Sequence, residues 1–193
     1  MTPLLTLDEV TVGYRKPVLG PVSLKVHAGE VLGLSGSNGC GKSTLLKSLS
    51  GESRLFSGSL RKAPGLQIGL QKQHPARLFG FPLSTEEYLR LTGADNTGLP
   101  ARLQSLRRQR VDSLSGGQFQ LLSIWACLAS PAQLVLLDEP TNNLDPAGVQ
   151  LLLELLVNRR HDQAVVLVSH EQDFMAGVTT RQLDVSTLHR PEF

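Results

Sequence analysis

Short apolar runs recur along the chain and mark its predicted strands. The segments LLTLDEVTV (residues 4–12) and PVSLKVHAG (residues 21–29) alternate in part between apolar and polar positions, which is typical of strands with one buried face. The later segments EVLGLSG, LVLLD and AVVLVSH are nearly continuous apolar runs, as in strands that are covered on both faces of a parallel sheet. A further short strand is predicted around residues 66–70.

Helical segments separate these strands. Residues 42–49, 103–110 and 145–157 have helical character, and the last segment carries Pro146 at its first helical position. The segment STEEYLRL opens with a capping pattern, in which Ser84 is followed three residues later by Glu87. Strands in alternation with helices predict an α/β fold with a mostly parallel sheet. The helical middle of the chain is expected to form a lobe inserted between two strands of that sheet.

Composition places the chain among soluble globular proteins. It has 193 residues, of which 40% are hydrophobic and 19% charged, and its formal net charge is +2. Because the basic residues are scattered, no nucleic-acid partner is expected. No apolar run reaches the length of about 20 residues that a membrane span needs, and we expect no signal peptide. The only two cysteines, Cys40 and Cys127, predict no disulfide framework and favour a cytoplasmic location.

The most specific motif is a glycine-rich phosphate loop. Residues 36–43, GSNGCGKS, match G-x-x-x-x-G-K-[ST] in full, after a predicted strand and at the start of a predicted helix. Glycines let backbone N–H groups turn towards phosphates, and the helix N-terminus adds the positive end of its dipole. We expect Lys42 to reach the β- and γ-phosphates of ATP, Ser43 to hold Mg²⁺ and Thr44 to contact the α-phosphate. The residues predicted to bind the nucleotide here are Gly36, Ser37, Asn38, Gly39, Cys40, Gly41, Lys42, Ser43 and Thr44. For Cys40, a reactive thiol and a small packed residue are both open interpretations.

Polar side chains follow the next two buried strands. LVLLDEP ends with Asp138 and Glu139, and VLVSH ends with His170. Since open α/β sheets bind ligands at the carboxyl ends of their strands, we expect Asp138 to hold Mg²⁺ through water. Glu139 is expected to polarise the attacking water or accept its proton, and His170 to bridge that water and the γ-phosphate. The structural alternative is that the acids cap a turn and the imidazole packs at a strand end.

A second glycine pair lies in LSGGQ (residues 114–118). Alone this segment is weak, because a double glycine before a helix is common. The ordered set GSNGCGKST, LSGGQ, LVLLDEP, NNLD and VSH, however, resembles the ATP-binding subunit of ATP-binding-cassette (ABC) proteins over nearly the whole chain. The resemblance implies one ABC ATPase domain over residues 1–193, an α/β P-loop NTPase core with an N-terminal antiparallel β subdomain and an inserted α-helical lobe. It implies a RecA-like core at about 1–73 and 131–193 and the helical lobe at about 74–130.

The resemblance also adds residues to the site. Tyr14 matches the aromatic that stacks on adenine, with a core aromatic as the alternative. Gln73 matches the glutamine that contacts Mg²⁺ and the attacking water; Gln71 competes for this role, but Ile68 and Gly69 favour Gln73. The catalytic set implied is Glu139, His170, Gln73 and Lys42, with Ser43, Gln73 and Asp138 as metal ligands.

In this family the LSGGQ segment caps the γ-phosphate that a second copy binds. The resemblance therefore implies a head-to-tail homodimer with two ATP molecules sandwiched between the subunits. The residues expected at the shared site are Ser115, Gly116, Gly117 and Gln118, and Asp145 of NNLD matches the loop that crosses to the other subunit. The residues that follow depart from the family, because Phe119, Leu121 and Ala126 stand where basic side chains are common and Trp125 is bulky. The packing of this helix is therefore left unpredicted.

Membrane partners are implied as well. The family's ATPases bind an integral membrane permease and work at the cytoplasmic face of the membrane as peripheral subunits, in importers together with a substrate-binding protein. The segment HPARLFGFPLSTEEYLRL looks like that of the ATPases of zinc and manganese importers. The alternatives are an ATPase of a small exporter of haem or another substrate, a soluble cassette ATPase, and a subunit that does not hydrolyse ATP. The intact Lys42, Asp138, Glu139 and His170 argue against the last.

Overall fold

The computed structural model of the chain describes residues 2–72, 82–95 and 97–188. The strands are β1 (Leu5–Gly13), β2 (Pro17–Val26), β3 (Val31–Ser35), β4 (Arg54–Lys62), β5 (Ile68–Gln71), β6 (Leu134–Asp138), β7 (Ala164–Val168) and β8 (Arg181–Asp184). The helices are α1 (Lys42–Ser50), α2 (Thr85–Leu91), α3 (Ala101–Gln104), α4 (Gly116–Leu128), α5 (Pro146–Val157) and α6 (Gln172–Val178), with 3₁₀ turns at Val111–Ser113 and Val185–Thr187. None of the helices in these ranges is long and apolar enough to cross a membrane.

The strands form two sheets. The larger is parallel throughout, in the order β5-β6-β7-β3-β8, and the smaller is antiparallel, in the order β2-β1-β4. Every residue of β6 and β7 is buried, as their continuous apolar runs predict. Asp138 pairs with Val168 at the ends of these two strands, so the residues that follow them meet at one edge of the sheet. The predicted α/β class, with an antiparallel sheet from the N-terminal part of the chain, is confirmed.

The parallel sheet separates two hydrophobic cores. Alternate residues of β6 face opposite sides: Leu134 and Leu136 pack with α1 and the antiparallel sheet, whereas Val135 and Leu137 pack with α2 to α6. Helix α1 thus lies between the two sheets. The phosphate loop that precedes it connects β3 to this helix, whose leucines pack in the core beneath the antiparallel sheet.

Two predictions on local structure have different outcomes, and one strand has no sequence signal. The capping box of α2 is present, with the Glu87 N–H donating to Ser84 Oγ. The helix predicted over residues 103–110 is wrong beyond Gln104, because the backbone there turns to pair with the start of α2: Thr85 N–H donates to the Gln109 carbonyl. Strand β4 has a mostly exposed pattern and gave no periodic signal in the sequence.

Candidate functional site

The loop between β3 and α1 is shaped by its glycines. Gly39 and Gly41 have φ values of 74° and 106°, which side chains other than glycine rarely adopt. At Gly36 a Cβ would lie 3.0 Å from both Cys40 Sγ and Asp184 Oδ1. The Lys42 ammonium lies across the mouth of the loop and donates to the carbonyls of Gly36 (2.8 Å) and Ser37 (3.0 Å). The Cys40 side chain is 1% exposed, which agrees with the interpretation of a small packed residue.

A cavity of about 310 Å³ lies in front of this loop. Its wall combines residues from β2, the loop, α1 and the ends of β6 and β7; they are Val18, Asn38, Gly39, Gly41, Lys42, Ser43, Thr44, Glu139 and His170. Six of the predicted loop residues, the acid after β6 and the histidine after β7 are therefore brought together. Gly36 and Ser37 line a neighbouring cavity, and Cys40 is buried. Val18 was not anticipated, because an aliphatic residue at a strand start carries no chemical signal in the sequence.

The acids at the end of β6 have different surroundings. Asp138 is 1% exposed, and its Oδ1 accepts a hydrogen bond from Ser43 Oγ at 2.9 Å. Its other oxygen, Oδ2, is buried and has no hydrogen-bond partner among the described residues. Buried oxygens are normally satisfied, so a carboxylate oxygen left over beside a serine hydroxyl fits a hard cation such as Mg²⁺, which takes oxygen ligands.

Glu139 comes directly after the strand and is held in an unusual backbone conformation. Its φ is 51°, in the left-handed region, and its N–H donates to the Val168 carbonyl at 3.0 Å. The side chain is nearly buried, and His170 Nε2 lies 2.9 Å from its Oε1. Burial raises the pKa of the Glu139 carboxyl, and the neighbouring His170 and Lys42 oppose that rise. A carboxylate with a raised pKa beside an imidazole can accept a proton from water.

The LSGGQ segment begins helix α4 at a separate place. Ser115 is the N-cap, and it forms a capping box with Gln118, in which each side chain bonds the other residue's backbone N–H. Gly117 lies against the loop that follows β6, where a Cβ would be 2.5 Å from the Asn143 carbonyl oxygen. A cavity of about 400 Å³ opens here, lined by Arg102, Ser115, Gly116, Gly117, Gln118, Asn143, Leu144 and Asp145.

Asp145 has partners within its own chain. Its Oδ1 caps α5 by accepting from the Gly148 N–H at 2.8 Å, and its Oδ2 lies 2.9 Å from the guanidinium of Arg102 on α3. The hydrogen bond from Arg102 lowers the pKa of the Asp145 carboxyl. Arg102 was not singled out in the sequence, since only the fold brings it beside NNLD.

Two residues implied by the resemblance do not line these cavities among the described residues. Tyr14 follows β1 and is 48% exposed, which excludes the alternative of a core aromatic. Gln73 lies outside the described residues. Gln71, its competitor, is 2% exposed at the end of β5.

Comparisons with known proteins agree with this geometry. The sequence model of the ABC transporter family matches residues 19–142. The chain is 34% identical over 185 residues to the zinc import ATP-binding protein ZnuC of Paracoccus denitrificans, covering 89% of this chain and 71% of that protein. It is also 34% identical over 192 residues to the methionine import ATP-binding protein MetN of Rhizobium etli, of which it spans 53%.

Among solved structures, the chain resembles an inward-facing putative metal-chelate type ABC transporter. The TM-score is 0.77 at 27% identity, over 99% of this chain and 84% of the other. The family resemblance inferred from the ordered motifs is confirmed, and so is ATP binding. The chain therefore belongs to the ABC transporter family, as an ATP-binding and ATP-hydrolysing subunit.

Proposed function

We propose that two copies of this chain bind two ATP molecules head to tail, each held between the phosphate loop of one copy and the LSGGQ helix start of the other. One observation carries the proposal: the two glycine-rich helix starts line different cavities, of about 310 and 400 Å³, built from different residues. Each chain thus carries two half-sites, one at the phosphate loop and one at the LSGGQ helix start. A second copy related by a two-fold axis would complete both.

Within this site the loop residues from Gly36 to Thr44 would wrap the phosphates, with Lys42 leaving its present carbonyl acceptors for the β- and γ-phosphates. Ser43 and Asp138 would hold Mg²⁺ together with Gln73, and the metal would neutralise charge on the phosphates. Ser115 and Gly117 of the partner copy would face the γ-phosphate, with Gly116 and Gln118 beside them. Tyr14, exposed after β1, would stack on adenine.

Glu139 and His170 would then act on the attacking water. The raised pKa of Glu139 makes its carboxylate a better proton acceptor, and the imidazole 2.9 Å away can orient that carboxylate. Removing the proton acceptor while keeping its shape should stop hydrolysis but not ATP binding. We therefore expect Glu139→Gln to accumulate as an ATP-bound dimer, detected as a doubling of mass in size-exclusion chromatography with ATP. A Glu139→Gln variant that hydrolyses ATP at the wild-type rate would refute this role.

Complementation tests the shared site. Ser115→Arg should block the LSGGQ half, and Lys42→Ala should weaken the phosphate-loop half, so neither variant alone should be active. Mixed dimers carry one site in which both halves are intact, so an equal mixture should recover about a quarter of the wild-type activity if subunits exchange freely. The control is a chain that carries both substitutions, mixed with wild-type protein, because its mixed dimers contain no site in which both halves are intact. If cross-linking shows mixed dimers and the activity stays at background, the head-to-tail model is wrong.

We further propose that the chain divides into a core, about 1–73 and 131–193, and a helical lobe, about 74–130, that contacts an integral membrane permease. The chain would work as a peripheral subunit at the cytoplasmic face of the membrane, with a substrate-binding protein as a further component. Divalent metal, such as zinc or manganese, is the proposed cargo, supported by the likeness to ZnuC proteins and by the FPLSTEEYLRL segment.

Uptake by cells tests the cargo. Replacing the chromosomal copy by Lys42→Ala should reduce zinc uptake and leave methionine uptake unchanged; the reverse result would move the cargo towards that of the MetN relative. The permease is expected to co-purify with the tagged chain from membranes. Recovery with ribosomes alone would refute the transporter proposal in favour of a soluble cassette ATPase.

A further inference from the structure

Gln120 is a buried amide on the helix that begins with LSGGQ. It is 2% exposed, and its Nε2 lies 3.4 Å from the Glu139 carbonyl oxygen and 3.3 Å from that of Pro140. Both bonds are long, but together they place one buried donor group between two consecutive carbonyls. Glutamine rarely occupies so dry a position without a specific partner. Its partners here are backbone atoms of the segment that carries Glu139, the proposed proton acceptor.

That segment needs support. Glu139 has a φ of 51°, and such a conformation in a residue other than glycine persists only where the surroundings fix it. Its N–H is held by the Val168 carbonyl at 3.0 Å. Its carbonyl accepts from the Asn142 N–H at 3.2 Å within the turn and from Gln120, which is a contact from outside the turn. Gln120 is thus the side chain that ties the backbone of the acid to a neighbouring helix.

The same face of α4 makes a second contact with this segment. Gly117 and Gln120 are three residues apart and therefore lie on one side of the helix. Gly117 is packed so closely on the Asn143 carbonyl that no Cβ would fit. Gly117 and Gln120, on one face of α4, therefore both contact residues 139–143. The glycines and Gln118 of LSGGQ form the first turn of the same helix.

We propose that Gln120 is a positioning residue for Glu139 of its own chain. This inference rests on the role proposed above for Glu139 in ATP hydrolysis. Without the two hydrogen bonds from Gln120, the backbone at residues 139–140 would shift, and the Glu139 carboxylate would lose its alignment with the attacking water.

Kinetics of three variants test the positioning role. Gln120→Met keeps the length of the side chain and removes the donor, and Gln120→Glu replaces the donor by an acceptor that faces two carbonyls. Ser123→Ala is the matched control, since Ser123 is a buried polar residue of the same helix whose hydroxyl donates to the Gln120 carbonyl within that helix. We expect Gln120→Met to lower kcat about tenfold or more, equivalent to about 1.4 kcal/mol in the barrier, with KM for ATP within twofold of the wild type. Gln120→Glu should lose more, and Ser123→Ala should leave both constants unchanged.

A purely structural role would give a different result. It would lower the urea midpoint of Gln120→Met without separating kcat from KM, or would affect Ser123→Ala equally. Folding of each variant is checked by circular dichroism, and if Gln120→Met does not fold, Gln120→Glu decides the same comparison. A wild-type kcat in a folded Gln120 variant would overturn the proposal.

Mixed dimers show on which chain Gln120 acts. In the mixture of Ser115→Arg and Lys42→Ala, the intact site takes Glu139 from the Ser115→Arg chain and LSGGQ from the Lys42→Ala chain. Gln120→Met added to the Ser115→Arg chain should remove the recovered activity, whereas the same change in the Lys42→Ala chain should leave it. The opposite pattern would mean that Gln120 supports LSGGQ for the partner and does not position its own acid. If the parent mixture recovers nothing, the shared site is refuted, and the kcat of Gln120→Met alone still decides the positioning role.

Discussion

Gly117 offers a direct test of how closely the LSGGQ helix is packed on the loop after β6. A Cβ at this position would lie 2.5 Å from the Asn143 carbonyl oxygen, 3.5 Å from its carbon and 3.8 Å from Leu144 Cδ2. Contacts below 3.0 Å between a Cβ and a backbone oxygen are essentially never seen, so Gly117→Ala must push the helix start and the loop apart by at least about 0.5 Å. Because the obstacle is backbone, no side chain can rotate away to relieve the clash.

The magnitude follows from two opposing terms. Overpacking of this kind costs about 1–3 kcal/mol, while alanine in place of glycine within a helix gains up to about 1 kcal/mol. Gly177 of α6 provides the matched control, since its added Cβ would meet Leu153 Cδ2 at an ordinary 3.6 Å. Gly177→Ala should therefore be stabilising by about 0.5–1 kcal/mol, and the two variants should differ in unfolding free energy by about 1–3 kcal/mol.

Urea unfolding without nucleotide separates this packing effect from any loss of nucleotide contact. We expect Gly117→Ala to unfold at a lower urea concentration than Gly177→Ala and to lose ATPase activity, whereas Gly177→Ala should keep full activity. Equal or greater stability of Gly117→Ala would show that the helix start tolerates a methyl group, and the close approach to Asn143 would then be refuted.

Three other predictions concern the surroundings of the site. Asp145→Ala should lower the urea midpoint more than Arg102→Ala does, because it removes the α5 cap as well as the exposed ion pair; equal effects would contradict the capping role. Burial raises the pKa of the Cys127 thiol from 9.0 to about 12, so between these pH values the unfolded chain has released a proton that the folded chain keeps. Stability must then fall as pH rises, by about 1.4 kcal/mol per pH unit from this group, and Cys127→Ala should show a shallower fall in pH-dependent urea titrations. Phe119 is 3% exposed, and its ring meets that of Tyr88 edge to face with 5.9 Å between the centroids, so Phe119→Ala should cost about 3–5 kcal/mol in thermal unfolding. Phe119→Arg would bury a charge and should be at least as harmful.

Local patterns were sufficient for the elements that position the phosphate loop and the acids. The buried runs that became β6 and β7 and the capping box of α2 were all predicted, because their signals lie within a few neighbouring residues. Since these strands end at one edge of the sheet, the approach of Glu139 to His170 could be anticipated before the fold was known.

Contacts between distant segments escaped prediction. Strand β4 lies at the edge of the antiparallel sheet with a mostly exposed surface, so its pairing with β1 decides its structure and its own sequence does not. The segment after Gln104 has helical propensity, yet pairing with residues 83–85 takes its backbone groups. Gln120 was overlooked for the same reason, because only the fold brings its amide to the carbonyls of Glu139 and Pro140.

The apolar residues after LSGGQ have a physical explanation in the fold. Phe119, Leu121, Leu122 and Ile124 are all at most 3% exposed, so they are spread around the helix and not confined to one stripe. A helix that is apolar on every side is a buried one, and α4 contacts β5, β6, α3 and α5. The departure from the basic pattern of relatives therefore marks burial of this helix in its own chain.

The two glycine-rich helix starts differ in a way that suits different tasks. Helix α1 is entered through Gly41 in the left-handed conformation, and within the described part of the chain no side chain caps it. Helix α4 is entered through Ser115 in an extended conformation, and its capping box already occupies the N–H of Gln118. Since an uncapped start leaves its first N–H groups to a ligand, α1 can surround a phosphate chain, whereas α4 retains fewer donors and can only cap one end of it. This asymmetry is expected if each ATP is held by the phosphate loop of one chain and covered by the LSGGQ helix start of the other.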